Sequence, residues 1–253
     1  MTGPAAAVTE ETGRLGGRLA WARLPGRQPG VVFLPGFRSD MGGTKALALR
    51  QACAARGRAM LRFDYSGHGE SAGRFEDGTI GAWTADAIAV LDALTEGPQV
   101  LVGSSMGGWI ALLLARARPE RVAGLVLIAP APDFTQALMW PAFTEEQRAT
   151  LLREGVLHLP SEYGDPTPVT RALIEEGRNH LLLDTPTPIT CPVRILQGME
   201  DPDVPWRHAM RLVEALESRD VRLHLLKDGD HRLSRPEDLT LLTETLDSLL
   251  AQL

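Results

Sequence analysis

Residues 103–108 read Gly-Ser-Ser-Met-Gly-Gly and follow the apolar run Gln99-Val100-Leu101-Val102. A serine with glycine two residues before and two after it, set between a β-type run and the helical pattern Trp109 to Arg118, has the spacing of a nucleophile elbow centred on Ser105. The sharp turn from strand to helix strains the central residue and crowds the backbone around it, and Gly103 and Gly107 relieve the clash. The hydroxyl then stands above the sheet edge. Beside it, the unpaired N–H groups and dipole of the following helix favour any negative charge that develops. The chemistry such a serine performs is nucleophilic attack on an acyl carbon.

An elbow serine needs a base and an acid to orient that base. Both follow it along the chain, acid first, on loops at the carboxyl ends of strands. After the strand-like run starting at Val193 comes Gly198-Met199-Glu200-Asp201-Pro202-Asp203-Val204-Pro205, with three competing carboxylates. Asp201 is preferred because Val204-Pro205 opens the next helix and leaves Asp201 at the loop apex; Asp203 stands second and Glu200 third. The bland alternative for all three is capping of the helix that begins near Trp206. Among the later histidines, His208 falls inside that helix and His224 inside the run Arg222 to Leu226. His231, in Lys227-Asp228-Gly229-Asp230-His231-Arg232, sits in the loop after the strand and is the expected base. A neutral imidazole there takes the serine proton and later returns it to the leaving group, while the carboxylate fixes its tautomer.

An oxyanion needs two backbone N–H donors. Met106, directly after the nucleophile, supplies one, and the loop Leu34-Pro35-Gly36-Phe37-Arg38-Ser39-Asp40 supplies the other through Phe37, with Gly36 allowing close approach. The stretch Asp64-Tyr65-Ser66-Gly67-His68-Gly69 also gathers Asp, Ser and His, yet it follows a strand in a glycine-rich turn and reads as structural.

Short β-type runs at 31–34, 60–63, 99–102, 125–128, 193–196 and 221–226 alternate with helical patterns at 44–56, 80–94, 107–118, 206–217 and 236–250. This alternation predicts an α/β fold, a mostly parallel central sheet with helices on both faces. Residues 14–24 could add an antiparallel edge hairpin through Gly16-Gly17. From 133 to 190 helical pieces occur at 133–139, 145–154 and 169–176 without a convincing strand, which reads as an inserted helical cap within a single domain spanning 1–253. The cap offers Met139, Trp140 and Phe143, and the next helix Trp206, as walls of a substrate pocket. At helical spacing such residues more often hold a cap to the body.

With 44% hydrophobic and 23% charged residues over 253 positions, the chain has the composition of a globular domain with a sizeable core. A net charge of -6 leaves no basic excess for nucleic acid. Apolar stretches such as 122–131 are too short to span a bilayer, and Met1 to Val8 lacks the pattern of a secretion signal. Cys53 and Cys191 read as reduced structural thiols, and the six histidines show no ligand spacing, so neither metal nor cofactor is expected.

The chain resembles the alpha/beta-hydrolase-domain family that includes a mitochondrial acyl-protein thioesterase, a depalmitoylase also described as an acyl-glucuronide esterase. The resemblance runs through Gly43-Thr44-Lys45-Ala46-Leu47-Ala48, residues 62–67 (RFDYSG), residues 102–109 (VGSSMGGW), Cys191-Pro192-Val193-Arg194, Gly198-Met199, Val204-Pro205-Trp206 and Asp230-His231-Arg232. It implies an alpha/beta-hydrolase fold, a triad at Ser105, Asp201 and His231, and an acyl ester or thioester substrate, with an S-acylated protein among the partners. Pro35-Gly36 stands where many members carry His-Gly, a departure that affects loop packing more than the N–H donor. The runner-up is a carboxylesterase or lysophospholipase-type lipase, and the non-enzymatic alternative a catalytically silent ligand-binding protein. A serine at the elbow disfavours epoxide hydrolase and dehalogenase chemistry, which use Asp there. The start of the chain is not Arg- and Ser-rich and acid-poor, so the expected setting is cytoplasmic, in a bacterial relative.

Overall fold

The apolar and β-branched runs become strands wherever both of their faces can be covered. The computed structural model describes residues 9–160 and 166–253; Met1 to Val8, and residues 161–165 of the expected cap, lie outside the described residues. The strands are β1 (Glu11–Leu15), β2 (Leu19–Leu24), β3 (Arg27–Leu34), β4 (Arg58–Phe63), β5 (Gln99–Ser104), β6 (Val122–Ile128), β7 (Val156–Leu159), β8 (Thr167–Thr170), β9 (Val193–Gly198) and β10 (Val221–Leu226). The helices are α1 (Thr44–Ala55), α2 (Ile80–Leu94), α3 (Met106–Ala117), the single turn α4 (Trp140–Ala142), α5 (Glu145–Glu154), α6 (Arg171–Gly177), α7 (Trp206–Ala215) and α8 (Pro236–Leu250).

Eight strands form one sheet in the order β1-β2-β4-β3-β5-β6-β9-β10. The β1–β2 and β2–β4 pairs are antiparallel and the others parallel. The β1–β2 turn uses Gly16 and Gly17 at φ +57 and +70, a left-handed pair that glycine adopts without Cβ strain. In the middle strands successive residues alternate between two cores. Val32, Leu34 and Leu101 join α2 and α3 around Trp83 and Trp109, while Val31, Phe33, Val100 and Val102 join α1 and α8 around Leu49, Cys53 and Leu246. Period-two side chains covered by helices on both sides explain why these strands read as unbroken apolar runs. Burial pushes the Cys53 and Cys191 thiols up to about 11, so both stay protonated. Leu34 pairs with Gly103, Ser104 with Ile128, and Ile128 with Leu196, so β3, β5, β6 and β9 reach the carboxyl edge of the sheet together.

The excursion between β6 and β9 departs from the all-helical expectation. Its first piece is a π-helical turn at Thr135–Met139 running into α4, and α5 follows, with a reciprocal Thr144–Gln147 cap and Gly155 in the left-handed region at its end. Then β7 and β8 pair as an antiparallel hairpin, Val156 opposite Thr170 and Leu159 opposite Thr167. The helix expected from Val169 starts only at Arg171, because Val169 and Thr170 pair in β8 and the Thr170 hydroxyl accepts the Leu173 N–H as its cap. The return path is stitched to the body by two buried side chains. Trp109 Nε1 donates to the His180 carbonyl at 3.0 Å, and the Asp133 carboxylate accepts the N–H groups of Leu182 and Leu183, each at 2.9 Å.

Trp109 is fully buried and makes that link, so Trp109→Ala is expected to cost roughly 3–5 kcal/mol. Urea unfolding reads this as a lower midpoint at unchanged slope.

Candidate active site

Ser105 occupies the single position between β5 and α3 with φ 53 and ψ -117, a conformation that strains any residue carrying a Cβ. Backbone hydrogen bonds hold it: its N–H donates to the Ile128 carbonyl at 2.9 Å, and its carbonyl accepts the N–H groups of Gly108 at 2.9 Å and Ala131 at 3.2 Å. The flanking glycines serve space. A Cβ on Gly103 would lie 2.4 Å from the Gly107 carbonyl oxygen, and one on Gly107 would lie 2.1 Å from that of Leu34. Neither glycine has a positive φ, so the strain of the turn sits in Ser105 itself.

The loops that carry Asp201 and His231 meet through a second pair of glycines. A Cβ on Gly198, at the end of β9, would sit 2.3 Å from the Gly229 carbonyl oxygen in the loop after β10. The Glu200 N–H also donates to that oxygen, at 3.0 Å. This close approach brings His231 Nδ1 to 2.8 Å from Asp201 Oδ2 and His231 Nε2 to 3.1 Å from Ser105 Oγ. The Asp201 side chain is fully buried yet well supplied with donors. Oδ1 accepts the N–H groups of Asp203 (2.9 Å) and Val204 (2.8 Å), and Oδ2 also accepts Gln197 Nε2 at 3.1 Å. An acceptor-only carboxylate at Nδ1 puts the imidazole proton on that nitrogen and leaves Nε2 free to accept the serine O–H. Of the three competing carboxylates, Asp201 is the one bonded to His231; Glu200 and Asp203 are exposed.

The other histidines lie apart from this relay. His208 is buried with Nε2 2.6 Å from the Pro132 carbonyl oxygen, and His224 is exposed on β10. His68 is enclosed by the rings of Tyr65, Phe75 and Trp83 at 5.0–5.6 Å, where burial lowers its pKa and favours neutral imidazole. The neighbouring Asp64 carboxylate accepts the Met41 and Glu70 N–H groups at 2.7 and 2.8 Å, which gives that segment the scaffolding role its turn pattern suggested.

Gly36 passes beside Ser105; a Cβ on it would sit 3.5 Å from Ser105 Cβ. Among the described residues neither the Phe37 nor the Met106 N–H donates to a protein acceptor. The Phe37 ring packs on Phe75, Trp83 and Phe134 at 4.9–6.0 Å and anchors the loop. Next to it, Arg38 is left-handed at φ 56, and its Nη1 donates to Thr167 Oγ1 at 2.9 Å, tying this loop to β8.

A cavity of about 490 Å³ opens on Ser105 and His231, walled by Phe37, Arg38, Lys45 and Thr167 with Asp203 and Arg232 at its rim. None of Met139, Trp140, Phe143 and Trp206, the expected walls, lines it. Phe143 is buried against the Trp140 ring at 6.2 Å, Arg148 stacks over Trp140 at 5.3 Å, Met139 packs on the core, and Arg207 covers Trp206 at 4.3 Å. Apolar residues at helical spacing here close the excursion onto the body. Arg38 and Lys45 lay in stretches already singled out, the loop 34–40 and the segment 43–48, but not as walls of a pocket, and Thr167 joins them from far along the chain. Among the described residues, Asp201, Asp203 and His231 bring possible ligand atoms within 4.8 Å of one another, but the His231 and Asp201 atoms that face each other are already bonded.

A family model described as the alpha/beta hydrolase family matches residues 31–240. The chain belongs to the alpha/beta hydrolase family. This hydrolase is 42% identical over 239 residues to a Bos taurus protein named palmitoyl-protein thioesterase ABHD10, mitochondrial, covering 93% of this chain and 77% of the relative. A solved hydrolase structure from Agrobacterium vitis superposes with TM-score 0.89 at 46% identity, covering 95% of this chain and 97% of that one. The alpha/beta hydrolase domain-containing protein 10 from mouse gives 0.88 at 39%, covering 96% and 99%. With these relatives, the hydrolase is an enzyme of the serine type. The expected cytoplasmic setting is overturned: human, mouse and rat relatives carry the same name as the bovine one, with its mitochondrial designation. The resemblance lies in the folded body, whose packing carries no compartment signal, so the composition of the first few residues was a poor guide.

Alanine at Gly198 would push the two loops apart by way of Gly229. Gly198→Ala is expected to lower turnover about 100-fold while costing about 1–3 kcal/mol in stability, read as kcat beside a thermal midpoint.

Proposed function

We propose that the hydrolase cleaves acyl thioesters through an acyl-enzyme on Ser105, with S-acylated protein cysteines among its substrates. The observation that carries this reading is the continuous relay Ser105–His231–Asp201, at 3.1 and 2.8 Å, opening on a cavity beside two N–H groups without a protein acceptor. The thioesterase names of the relatives support the substrate class. His231 Nε2 takes the Ser105 proton as Oγ attacks the acyl carbon, and the Phe37 and Met106 N–H groups receive the charge on the carbonyl oxygen. Collapse of the tetrahedral species expels the thiolate, which takes the proton from His231. Water activated by the same imidazole then releases the acid. Asp201 holds the Nδ1 proton in place throughout. Residues 133–190 act as a cap whose β8 edge closes the cavity through Thr167.

The test is hydrolysis of a chain-length series of acyl thioesters and matched oxygen esters by the wild type, Ser105→Ala and Asp201→Asn. Long-chain thioesters are expected to turn over best, with each variant losing roughly 10³- to 10⁶-fold in kcat. A preference for short oxygen esters would assign a carboxylesterase instead, and turnover indifferent to Ser105 would sink the nucleophile.

A further inference from the structure

The segment Gly43-Thr44-Lys45-Ala46-Leu47 opens α1 on the cavity wall, and the roles given so far leave its cation unused. Lys45 stands in the first turn of α1, where the helix dipole disfavours positive charge, so helix stability does not account for it. Its side chain instead crosses to the loop that bears His231. Nζ donates to the carbonyl of Arg232, the residue directly after the histidine, and lies 3.4 Å from Ser234 Oγ. On its β9 side that loop is held by the Glu200 N–H on the Gly229 carbonyl and by Asp201 on His231. Leu233 is left-handed at φ 43, and the local bonds are Leu233 N–H to Asp230 Oδ1 at 2.8 Å and Ser234 Oγ to the Arg232 carbonyl at 2.9 Å.

We propose that Lys45 is a positioning residue that, through its charge-assisted grip on the Arg232 carbonyl, fixes the His231 imidazole between Ser105 and Asp201. The inference rests on His231 acting as the base. A charged donor makes a hydrogen bond roughly twice as strong as a neutral one, so neutralising the amine loosens the loop without breaking the fold. Arg232 and Asp230 face Lys45 from the His231 loop and Asp238 from the start of α8, while His231, Arg38, Asp40 and Asp203 share the cavity. Burial and Arg232 oppose the ammonium, Asp230 and Asp238 favour it, and burial prevails, bringing the pKa down to about 8. The cation is present below that pH and lost above it, so the grip weakens as pH rises.

The experiment follows labelling of Ser105 by a fluorophosphonate, together with kcat and KM for a thioester, from about pH 6 to pH 10. Wild type, Lys45→Met, Lys45→Arg and Ser105→Ala are compared. In the wild type both rates are expected to fall as pH rises past about 8. Lys45→Met is expected to lose about 10- to 100-fold in labelling rate and kcat, with KM little changed and the alkaline fall gone. Lys45→Arg, charged throughout, moves that fall to higher pH. Wild-type rates and an unchanged alkaline fall in Lys45→Met overturn the proposal. Should that variant not fold, a fall that stays near pH 8 in Lys45→Arg overturns it equally. Labelling of Ser105→Ala as fast as wild type would instead strike at the nucleophile assignment and leave Lys45 out of question.

Discussion

Between the last residue of β5 and the first of α3 there is room for one residue, and the α3 backbone passes so close to β3 that Gly107 leaves no space for a side chain against Leu34. The rest of the architecture is arranged around that crowding. β5 must be central and parallel, so that its carboxyl end meets those of β3, β6 and β9 on one edge. The helix after it must be apolar, because Met106 to Ala115 all lie buried between the sheet and the neighbouring helices. The serine hydroxyl is thereby presented at an edge where loops from separate strands can reach it, a property of parallel sheets that ordinary turns do not share.

A buried carboxylate is expensive unless its lone pairs are filled. Asp201 meets that demand with two backbone N–H groups, one amide side chain and the imidazole. The backbone donors belong to Asp203 and Val204, in the turn that delivers the chain to α7, so the loop that carries the acid also solvates it. The contact of Gly198 with Gly229 does the equivalent work for distance. Fixed backbone, more than side-chain reach, sets the spacing of the three groups.

Much of this was legible from residue types. Ser105 was readable because a strand–helix turn with glycines on either side has few alternatives. Asp201 and His231 were readable because chain order and the loops after two late strands leave few candidates. What escaped reading did so for definite reasons. β7 and β8 are four-residue strands, too short to show a period, and Pro168 in β8 is tolerated because the hairpin has only two strands and so only edges. Trp140 and Phe143 carry the same helical spacing whether they line a pocket or close a core, so their pattern could not say which. Arg38, Lys45 and Thr167 converge only in three dimensions, from an elbow-side loop, a helix start and a hairpin edge. The flanking glycines play the part their spacing suggested. They exclude side chains, and the unusual dihedral belongs to the serine.

That last feature has an implication for how the protein balances robustness against reactivity. A residue held left-handed away from glycine forgoes on the order of 1 kcal/mol or more, at every moment, whether or not substrate is present. Glycine at position 105 would be the more comfortable occupant of this backbone, and it would leave His231 Nε2 without the hydroxyl it meets. The fold therefore stands below its own stability optimum at the turn that ends β5, and selection for a more durable protein alone would not keep a serine there.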